Sequence, residues 1–271
     1  MDGRSSGMRG RLACHCLLIE TADQLVLVDT GFGLRDVANP RARIHALFLK
    51  MMDPDFREDM TAASQIVRLG FEPGDVRHIV LTHLDFDHAG GLDDFPHAAV
   101  HMLARERDSA VAQKTVLDRM RYRPQQWSTR ANWRVYSEMA GERWYGFDRV
   151  RSLQGLPPEI LMVPLLGHTL GHAGIAIDAG DHWLLHAGDA YFFHAEMDAH
   201  NPYCTPGLRW YQTMMEKDRT ARLANQDRLR ELRRSHSEVQ LFSAHDEREF
   251  VRLAGQPAEQ PVVAPLTVVA G

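Results

Sequence analysis

The sequence is poor in cysteine, has no long apolar run and carries no excess of positive charge. Its three cysteines, Cys14, Cys16 and Cys204, are too few and too unevenly spaced for a disulfide framework. No stretch approaches the roughly 20 apolar residues that a membrane-spanning helix needs, and residues 1–11 lack the apolar core of a signal peptide. These absences predict a cytoplasmic protein without a membrane partner.

The charge balance also limits the classes of binding partner. A formal net charge of −5 and a pI near 6.3 argue against nucleic acid held by bulk electrostatics. The hydrophobic content of 44% is sufficient for a core. Since no repeat or clear linker is present, we expect one domain over residues 1–271. Its expected parts are a flexible leader at 1–11, a helical and aromatic insertion at 104–156 and a loose tail at 256–271.

Apolar runs that end in polar or glycine-rich turns predict the β-strands. These runs cover residues 12–20, 25–29, 98–103, 161–166, 183–185 and 239–242. Apolar residues at three- to four-residue spacing predict helical structure over residues 34–70 and one long helix over 208–235. In that long helix, Leu223 and Leu232 are expected to face inward. Residues 105–123 are typical of a single charged helix.

Two segments leave alternatives open. Cys14-His15-Cys16 lacks the second cysteine pair of a zinc knuckle, so a buried strand with small apolar thiols is the favoured interpretation. Residues 104–156 contain three of the five tryptophans. They form either an additional small core or a substrate-pocket lid or dimer contact, because aromatic residues dominate such surfaces. A homodimer is therefore one of the expectations.

The densest group of metal-competent side chains lies in residues 82–91, Thr-His-Leu-Asp-Phe-Asp-His-Ala-Gly-Gly. It contains His83, Asp85, Asp87 and His88, and it directly follows an apolar run. Imidazoles and carboxylates are ligands for zinc, iron and manganese. A loop at the end of a buried strand is a common place for chemistry. The alternative, a polar loop with solvated histidines, explains four such residues poorly.

Three further apolar runs end in residues of the same kind. His168 lies in Gly-His-Thr-Leu-Gly-His, Asp189 follows Gly188, and His245 follows Ala244. Asp29 closes an earlier run and either caps a turn or orients a ligand loop. Because each residue follows a predicted strand, all of them could meet at one edge of a sheet system.

This arrangement resembles the metallo-β-lactamase superfamily. The resemblance is carried by Leu-Thr-His-Leu-Asp-Phe-Asp-His-Ala-Gly-Gly at 81–91, Gly-His-Thr-Leu-Gly-His at 167–172, Gly188-Asp189 and Ala244-His245. Val-Leu-Val-Asp-Thr-Gly at 26–31 matches the family's early strand and turn, so the markers run over nearly the whole chain. The resemblance implies an α/β protein with a four-layer αββα sandwich and two divalent metal ions at one edge.

The resemblance also implies the ligands. His83 and His168 would bind the first metal, Asp87, His88 and His245 the second, and Asp189 would bridge the two. His172 and Asp29 would lie outside the ligands and support them.

One position departs from the family pattern. Asp85 stands where His-x-His-x-Asp-His has its second histidine. A carboxylate can still bind metal, so Asp85 is retained as a candidate ligand. Its charge makes the site a weaker Lewis acid and better suited to iron or manganese. Zinc is the expected metal, with iron or manganese as alternatives.

The chemistry that follows is hydrolysis of an ester, lactone, thioester or similar bond in a small-molecule substrate. Asp87 would orient the attacking water or accept its proton. Tyr191, close to Asp189, could donate to the developing oxyanion, with simple packing as the equal alternative, and His194 is a weaker candidate. The strand at 14–21 and the aromatic insertion resemble the lactonase branch of the family.

Two other functions stay open. Asp85 would suit an iron-dependent oxidoreductase on the same ligands. A degraded site would suit a non-catalytic member that binds a ligand. A nuclease is disfavoured because the chain is acidic and has no separate basic module.

Overall fold

The computed structural model describes residues 10–128, 132–137 and 139–261. Most of the expected leader and the end of the expected tail lie outside these residues. The described chain forms two β-sheets with helices on their outer faces, as expected for an αββα sandwich. Among the described residues, no helix is long and apolar enough to cross a membrane.

The first sheet is built from the N-terminal part of the chain. Its strands, in spatial order, are β1 (Leu17–Glu20), β2 (Leu25–Val28), β3 (Val76–Val80), β4 (Ala99–Leu103) and β5 (Trp133–Tyr136). β1 and β2 pair antiparallel across a short turn and form a hairpin. The other neighbours pair parallel. The carboxyl ends of β2, β3 and β4 therefore meet at the same edge of the sheet.

The second sheet comes mainly from the C-terminal half. Its strands, in spatial order, are β11 (Val239–Phe242), β10 (Trp183–His186), β9 (Ala173–Asp178), β8 (Ile160–Pro164), β7 (Phe147–Ser152) and β6 (Glu142–Trp144). β10 and β11 are parallel, whereas the remaining neighbours are antiparallel. The parallel pair places the ends of β10 and β11 side by side.

The main core lies between the two sheets. Val26, Val28 and Val80 from the first sheet join Ile175 and Ile177 from the second in one buried cluster. Alternate residues of the same strands face outward, since side chains along a strand point to opposite faces. These outward faces are covered by helices, which completes the four layers.

The described residues form nine α-helices. They are α1 (Leu34–Ala38), α2 (Pro40–Arg43), α3 (Ala46–Met52), α4 (Ala62–Arg68), α5 (Ala104–Ala112), α6 (Val116–Arg121), α7 (Pro206–Met215), α8 (Arg219–Ser235) and α9 (Glu247–Ala254). Ile66 of α4 packs on the first sheet. Leu229 and Leu232 of α8 pack on the second. The short helices α1 to α4 confirm the helical structure predicted within residues 34–70.

The prediction of one long helix over residues 208–235 is wrong. α7 ends at Met215 and α8 begins at Arg219, where the Asp218 side chain accepts a hydrogen bond from the Ala221 amide at 2.9 Å. At the break, the Gly167 carbonyl accepts from the amides of Lys217 and Asp218 at 2.8 and 3.0 Å. These amides are therefore bonded to the loop that contains His168. Leu223 of α8 is 40% exposed, so the expectation that it faces inward is also wrong.

Residues 104–156 are more than a helical excursion. They contain α5 and α6 in place of the single predicted charged helix, followed by β5, β6 and β7. β5 extends the first sheet, and β6 and β7 extend the second. Trp127 is buried on the first sheet, and Trp144 packs against the outer cluster of the second. The aromatic residues therefore anchor the segment to both sheets.

The two leucines of α8 provide a test of this packing. We expect Leu232→Ala to lower the free energy of unfolding by about 2–5 kcal/mol, because Leu232 is 2% exposed and its removal leaves a cavity. Leu223→Ala, in the same helix, is expected to change it by no more than about 0.5 kcal/mol. Urea denaturation of both variants measures the difference. Equal losses would contradict the exposed position of Leu223 on α8.

Candidate metal centre

The four predicted strand ends do meet. His83, Asp85, Asp87 and His88 follow β3, His168 follows β8, Asp189 follows β10 and His245 follows β11. All seven side chains are buried, with exposures from 0 to 4%. The structure thus brings every predicted ligand into one cluster. Its first half consists of His83, Asp85 and His168, and its second half of Asp87, His88, Asp189 and His245.

Asp29 links the end of β2 to the loop after β3. Its carboxylate accepts hydrogen bonds from the Thr82 amide at 2.8 Å, the Thr82 hydroxyl at 2.7 Å and His88 Nδ1 at 2.8 Å. The backbone of Asp29 is in the left-handed region, with φ 54°. Such a conformation is costly for a non-glycine residue, and is retained where surrounding contacts hold it. Of the two roles that the sequence left open, the structure shows the one that orients the ligand loop.

These outer contacts determine which nitrogen of each imidazole faces the cluster. His88 donates from Nδ1 to Asp29, and His245 Nδ1 donates to the Ala13 carbonyl at 2.7 Å. The Thr82 hydroxyl already donates to Asp29, so it accepts from His83 Nδ1 at 3.0 Å. Each Nε2 can therefore point a lone pair inward.

In the second half of the cluster, these lone pairs converge with carboxylates. His88 Nε2 and His245 Nε2 are 3.4 Å apart, and Asp189 Oδ1 lies 3.2 and 3.1 Å from them. Asp87 Oδ2 lies 3.8 Å from His245 Nε2. Atoms at this separation are spaced like neighbouring ligands of one tetrahedral ion with bonds of about 2.0–2.1 Å. Asp87, His88, Asp189 and His245 therefore fit a divalent cation.

The pKa values of His88 and His245 also indicate that the second half of the cluster favours a cation. Burial alone would lower the pKa of His88 and His245, but Asp189 and other carboxylates raise both well above the ordinary value. The second half of the cluster therefore favours positive charge, which either protons or a metal ion can supply.

The first half contains an arginine. His83 Nε2 and His168 Nε2 lie 3.3 and 3.1 Å from Asp85 Oδ2, a spacing that by itself suits an ion. However, Arg121 from the end of α6 donates through Nε to Asp85 Oδ1 at 2.6 Å and through Nη2 to Asp85 Oδ2 at 2.5 Å. Nη2 also lies 2.8 Å from His168 Nε2.

Arg121 has no exposed surface, and its charge dominates this half. Burial would raise the pKa of Asp85, but Arg121 holds it well below its ordinary range. Sequence reasoning missed Arg121, because a charged residue in an arginine-rich helix is ordinarily solvated. Only the packing of α6 against the cluster reveals it.

Asp189 is positioned by a glycine and a histidine. Gly188 has φ 53°, and a Cβ atom there would lie 2.6 Å from His172 Nε2. His172 donates from Nδ1 to the Leu165 carbonyl at 2.9 Å, which leaves Nε2 to accept the Asp189 amide at 2.9 Å. His172 therefore supports Asp189 without facing the cluster, as the resemblance implied.

Glu106 of α5 ties two ligand loops together. Its buried carboxylate accepts from the Leu84 amide at 3.0 Å, the Thr169 hydroxyl at 2.6 Å and the Gly171 amide at 3.1 Å. Burial raises the pKa of Glu106, and the hydrogen bonds from Thr169 and Leu84 oppose that rise. Glu106 thus holds the loop after β3 against the loop that contains His168. It is a second residue that the sequence pattern did not single out.

Tyr191 lies away from the cluster. Its hydroxyl donates to Glu249 Oε2 at 2.8 Å, and its ring is fully buried among the residues that α8 covers. Burial and Glu249 raise its pKa well above the ordinary value. These contacts correspond to the packing role. His194 is similarly occupied by Asp246, at 2.8 Å from Nδ1.

Tyr211 and Cys14 lie closer to the cluster than the two residues singled out by the sequence, Tyr191 and His194. The Tyr211 ring lies 5.5 Å from that of Phe192, which stacks on His245 at 5.0 Å, so Tyr211 packs beside the cluster. Burial raises the pKa of Tyr211 well above its ordinary value, and the negative charges of Asp87, Asp85 and Asp189 raise it further. The Cys14 thiol groups with Asp87 and His245 at the edge of the second half. Cys14 is exposed and precedes β1, so the expectation of a buried strand thiol is wrong for this residue.

Comparison with known proteins agrees with the geometry. Residues 9–245 match the model of the metallo-β-lactamase superfamily. The chain belongs to this superfamily. Two mycobacterial proteins named "Probable metallo-hydrolase", from Mycobacterium tuberculosis and Mycobacterium bovis, are each 42% identical to it over 238 residues. That match covers 87% of this chain and 75% of each relative.

More distant superfamily members include lactonases. An N-acyl homoserine lactonase of Bacillus thuringiensis is 31% identical over 101 residues, which is 37% of this chain and 40% of that protein. The solved structure of an N-acyl homoserine lactone hydrolase with a product at its catalytic metal center superimposes with a TM-score of 0.64 at 22% identity. The superposition covers 86% of this chain and 81% of the other. Together these matches confirm the fold and support a metal-dependent hydrolase.

The contacts of Glu106 lead to a prediction. Glu106→Ala should lower the free energy of unfolding by about 2–4 kcal/mol, because buried donors of both ligand loops lose their acceptor. Glu106→Gln, which keeps an acceptor oxygen, should lose less. Glu142→Ala in the exposed part of β6 is the control and should stay within about 0.5 kcal/mol. Chemical denaturation provides the measurement, and a loss for Glu106→Ala no larger than the control would refute the role of Glu106.

Proposed function

We propose that the protein is a metal-dependent hydrolase that cleaves an ester, a lactone or a similar carbonyl bond of a small molecule. The observation that carries the proposal is the second half of the cluster. There, the Nδ1 protons of His88 and His245 are bonded to acceptors outside the cluster. When both imidazoles are neutral, their Nε2 atoms, 3.4 Å apart, therefore direct lone pairs into the same space beside Asp189. A divalent cation satisfies this arrangement.

Four of the ligands expected from the sequence carry the proposal. Asp87, His88, Asp189 and His245 would hold an ion in the second half, and zinc is the proposed metal. His83, Asp85 and His168 form the first half. A divalent ion in such a site supplies water of lowered pKa and polarises a carbonyl oxygen.

Asp87 is the proposed proton acceptor. It is buried, and burial raises its pKa above the ordinary value of a carboxyl group. Asp87 lies at the side of the cluster where His245 and Cys14 also face, next to the proposed ion and the water that it would activate. It would hold the attacking water in orientation and take up its proton.

Tyr211 is the proposed donor to the oxyanion, in place of Tyr191. It lies on α7 in an apolar group with Phe192, Phe193 and Leu208, and the rings of Tyr211 and Phe192 are 5.5 Å apart. Phe192 in turn stacks on His245, with ring centroids 5.0 Å apart. These contacts place Tyr211 in an apolar wall, suitable for an acyl chain, beside the cluster.

The names of the relatives suggest the substrate class. Members with related sequence and fold hydrolyse N-acyl homoserine lactones. A lactone is a cyclic ester with an electrophilic carbonyl, so it suits the same chemistry as other esters. We propose a small acyl lactone or ester. A cytoplasmic location and a homodimer stay predictions from the sequence.

The contacts of Asp85 weaken the alternative of an iron-dependent oxidoreductase. Asp85 was its only support, and the structure pairs this carboxylate with Arg121. Its negative charge is therefore balanced within the protein and does not favour a more highly charged ion.

The test joins metal analysis with turnover. Protein purified without added metal should contain zinc, and it should hydrolyse members of a panel of acyl lactones and aryl esters. Removal of metal by a chelator should abolish turnover, and Zn²⁺ should restore it, because the water is activated only in the loaded site. His245→Ala is expected to lose both metal and turnover.

Three results would contradict the proposal. They are metal-free protein that turns over at the full rate, metal-loaded protein inactive on the whole panel, and oxygen uptake by an iron-loaded form. Inactive, metal-loaded protein that binds a lactone without cleaving it would indicate the non-catalytic alternative instead.

The two tyrosines can be separated kinetically. Tyr211→Phe should lower kcat by about 10²-fold, as expected for loss of one oxyanion donor. Tyr191→Phe should leave kcat unchanged and lower only the stability, by about 0.5–1.5 kcal/mol, because it loses its bond to Glu249. Steady-state kinetics and denaturation of both variants give the comparison. The opposite pattern would restore Tyr191 as the donor.

A further inference from the structure

We propose that Arg121 takes the place of the first metal ion, so that this chain holds a single catalytic metal in the half formed by Asp87, His88, Asp189 and His245. The inference rests on the metal ligands given under the proposed function. It differs from the two-metal site that the family pattern implies, and its basis is the position of one guanidinium group.

The argument begins with the lone pair of His168. A neutral imidazole has one acceptor nitrogen, and its lone pair can serve either a hydrogen bond or a metal. Arg121 Nη2 lies 2.8 Å from His168 Nε2 and, as an arginine nitrogen, can only donate. His168 Nε2 is therefore the acceptor in this contact. While the contact persists, His168 has no lone pair to offer to a metal ion.

Asp85 is engaged in the same way. The Arg121 fork bonds both of its oxygens, at 2.6 Å from Nε and 2.5 Å from Nη2. Nη2 thus contacts Asp85 Oδ2 and His168 Nε2, which are themselves 3.1 Å apart. These are the two atoms that an ion in the first half would share with His83. The guanidinium nitrogen and such an ion would compete for the same place.

Backbone carbonyls bind the other terminal nitrogen of the guanidinium, Nη1. Nη1 donates to the Met215 carbonyl at 2.6 Å and lies 3.4 Å from the His168 carbonyl. With the three contacts to Asp85 and His168 Nε2, the five N–H groups of Arg121 have five acceptors. The Met215 carbonyl is at the end of α7, directly before the break that precedes α8. All the N–H groups of Arg121 are therefore occupied by protein acceptors, and none is left to donate to a substrate.

The charges of the cluster also indicate a single metal ion. Arg121 neutralises Asp85, which leaves Asp87 and Asp189 as the carboxylates that face the rest of the cluster. Their combined formal charge of about −2 equals that of one divalent cation in magnitude. A second ion beside a fully buried guanidinium would place like charges in contact at a buried site, where solvent screens them little.

This assignment also explains the departure at position 85. A neutral histidine at this position could not balance a buried guanidinium, whereas a carboxylate accepts both arms of the fork. Asp85 and Arg121 therefore form a matched pair that replaces a histidine and an ion. In this arrangement Asp85 is the partner of Arg121 and no longer a metal ligand.

The experiment counts metal ions per chain. The full-length protein is loaded with excess Zn²⁺ or Mn²⁺ and desalted. Native mass spectrometry then gives the ion count, and electron paramagnetic resonance of the Mn²⁺ form shows whether the ions are coupled. We expect one ion per chain and an uncoupled Mn²⁺ signal.

The main variant is the double substitution Asp85→His with Arg121→Met, which removes both members of the buried ion pair and restores His-x-His. It should bind a second ion and show spin coupling. Arg119→Met, also on α6 but exposed, is the matched control and should keep one ion. Should the double variant fail to fold, His168→Ala serves instead. It should keep one ion, whereas His88→Ala should bind none.

The outcomes separate the two proposals. Two ions in the unaltered protein, or a double variant that folds and still holds one, would overturn the role of Arg121 and leave the proposed hydrolase intact. Loss of the ion in His168→Ala would also overturn it. No bound ion in the unaltered protein would overturn the proposed function itself. One ion that becomes two in the double variant supports the inference.

Discussion

The site depends on the buried carboxylate of Asp29, which connects two neighbouring strand ends. It accepts the Thr82 amide, the Thr82 hydroxyl and His88 Nδ1. Through Thr82 it also determines the orientation of His83. Because the donors of both imidazoles are directed outward, their acceptor nitrogens face the cluster. Burial would raise the pKa of Asp29, but His88 lowers it below the ordinary value, so the carboxylate stays charged.

The two halves of the cluster satisfy their buried charges differently. In the second half, imidazoles and carboxylates converge without an internal cation, and the pKa values of His88 and His245 rise in response to Asp189. In the first half, Arg121 supplies the cation from α6. Buried charges are tolerated only when they are paired or bound to metal. The same physical requirement is therefore met by a side chain on one side and by a proposed ion on the other.

Elements far from the ligands in sequence hold this arrangement. The segment over residues 104–156 supplies Glu106, which ties two ligand loops together, and Arg121. The break between α7 and α8 places the Met215 carbonyl against Arg121 and the following amides against Gly167. It also places Tyr211 next to Phe192 and the cluster carboxylates. A segment that looked like an excursion and a helix that looked continuous thus both shape the site.

Local patterns in the sequence predicted most of the strands and the seven clustered residues, since each of these residues follows an apolar run, and the family resemblance predicted the αββα fold. They did not predict β5, β6 and β7, which lie in the segment expected to be a helical and aromatic insertion. The same patterns could not place Arg121, Glu106 or Tyr211. Their functional positions depend on which helix face packs against the cluster, and charge or helical periodicity alone does not specify a partner so distant in the chain. The family motif marked Asp85 as unusual, but only tertiary structure shows why a carboxylate stands there. It lies within hydrogen-bonding distance of a buried guanidinium that has no other counterion in contact among the described residues.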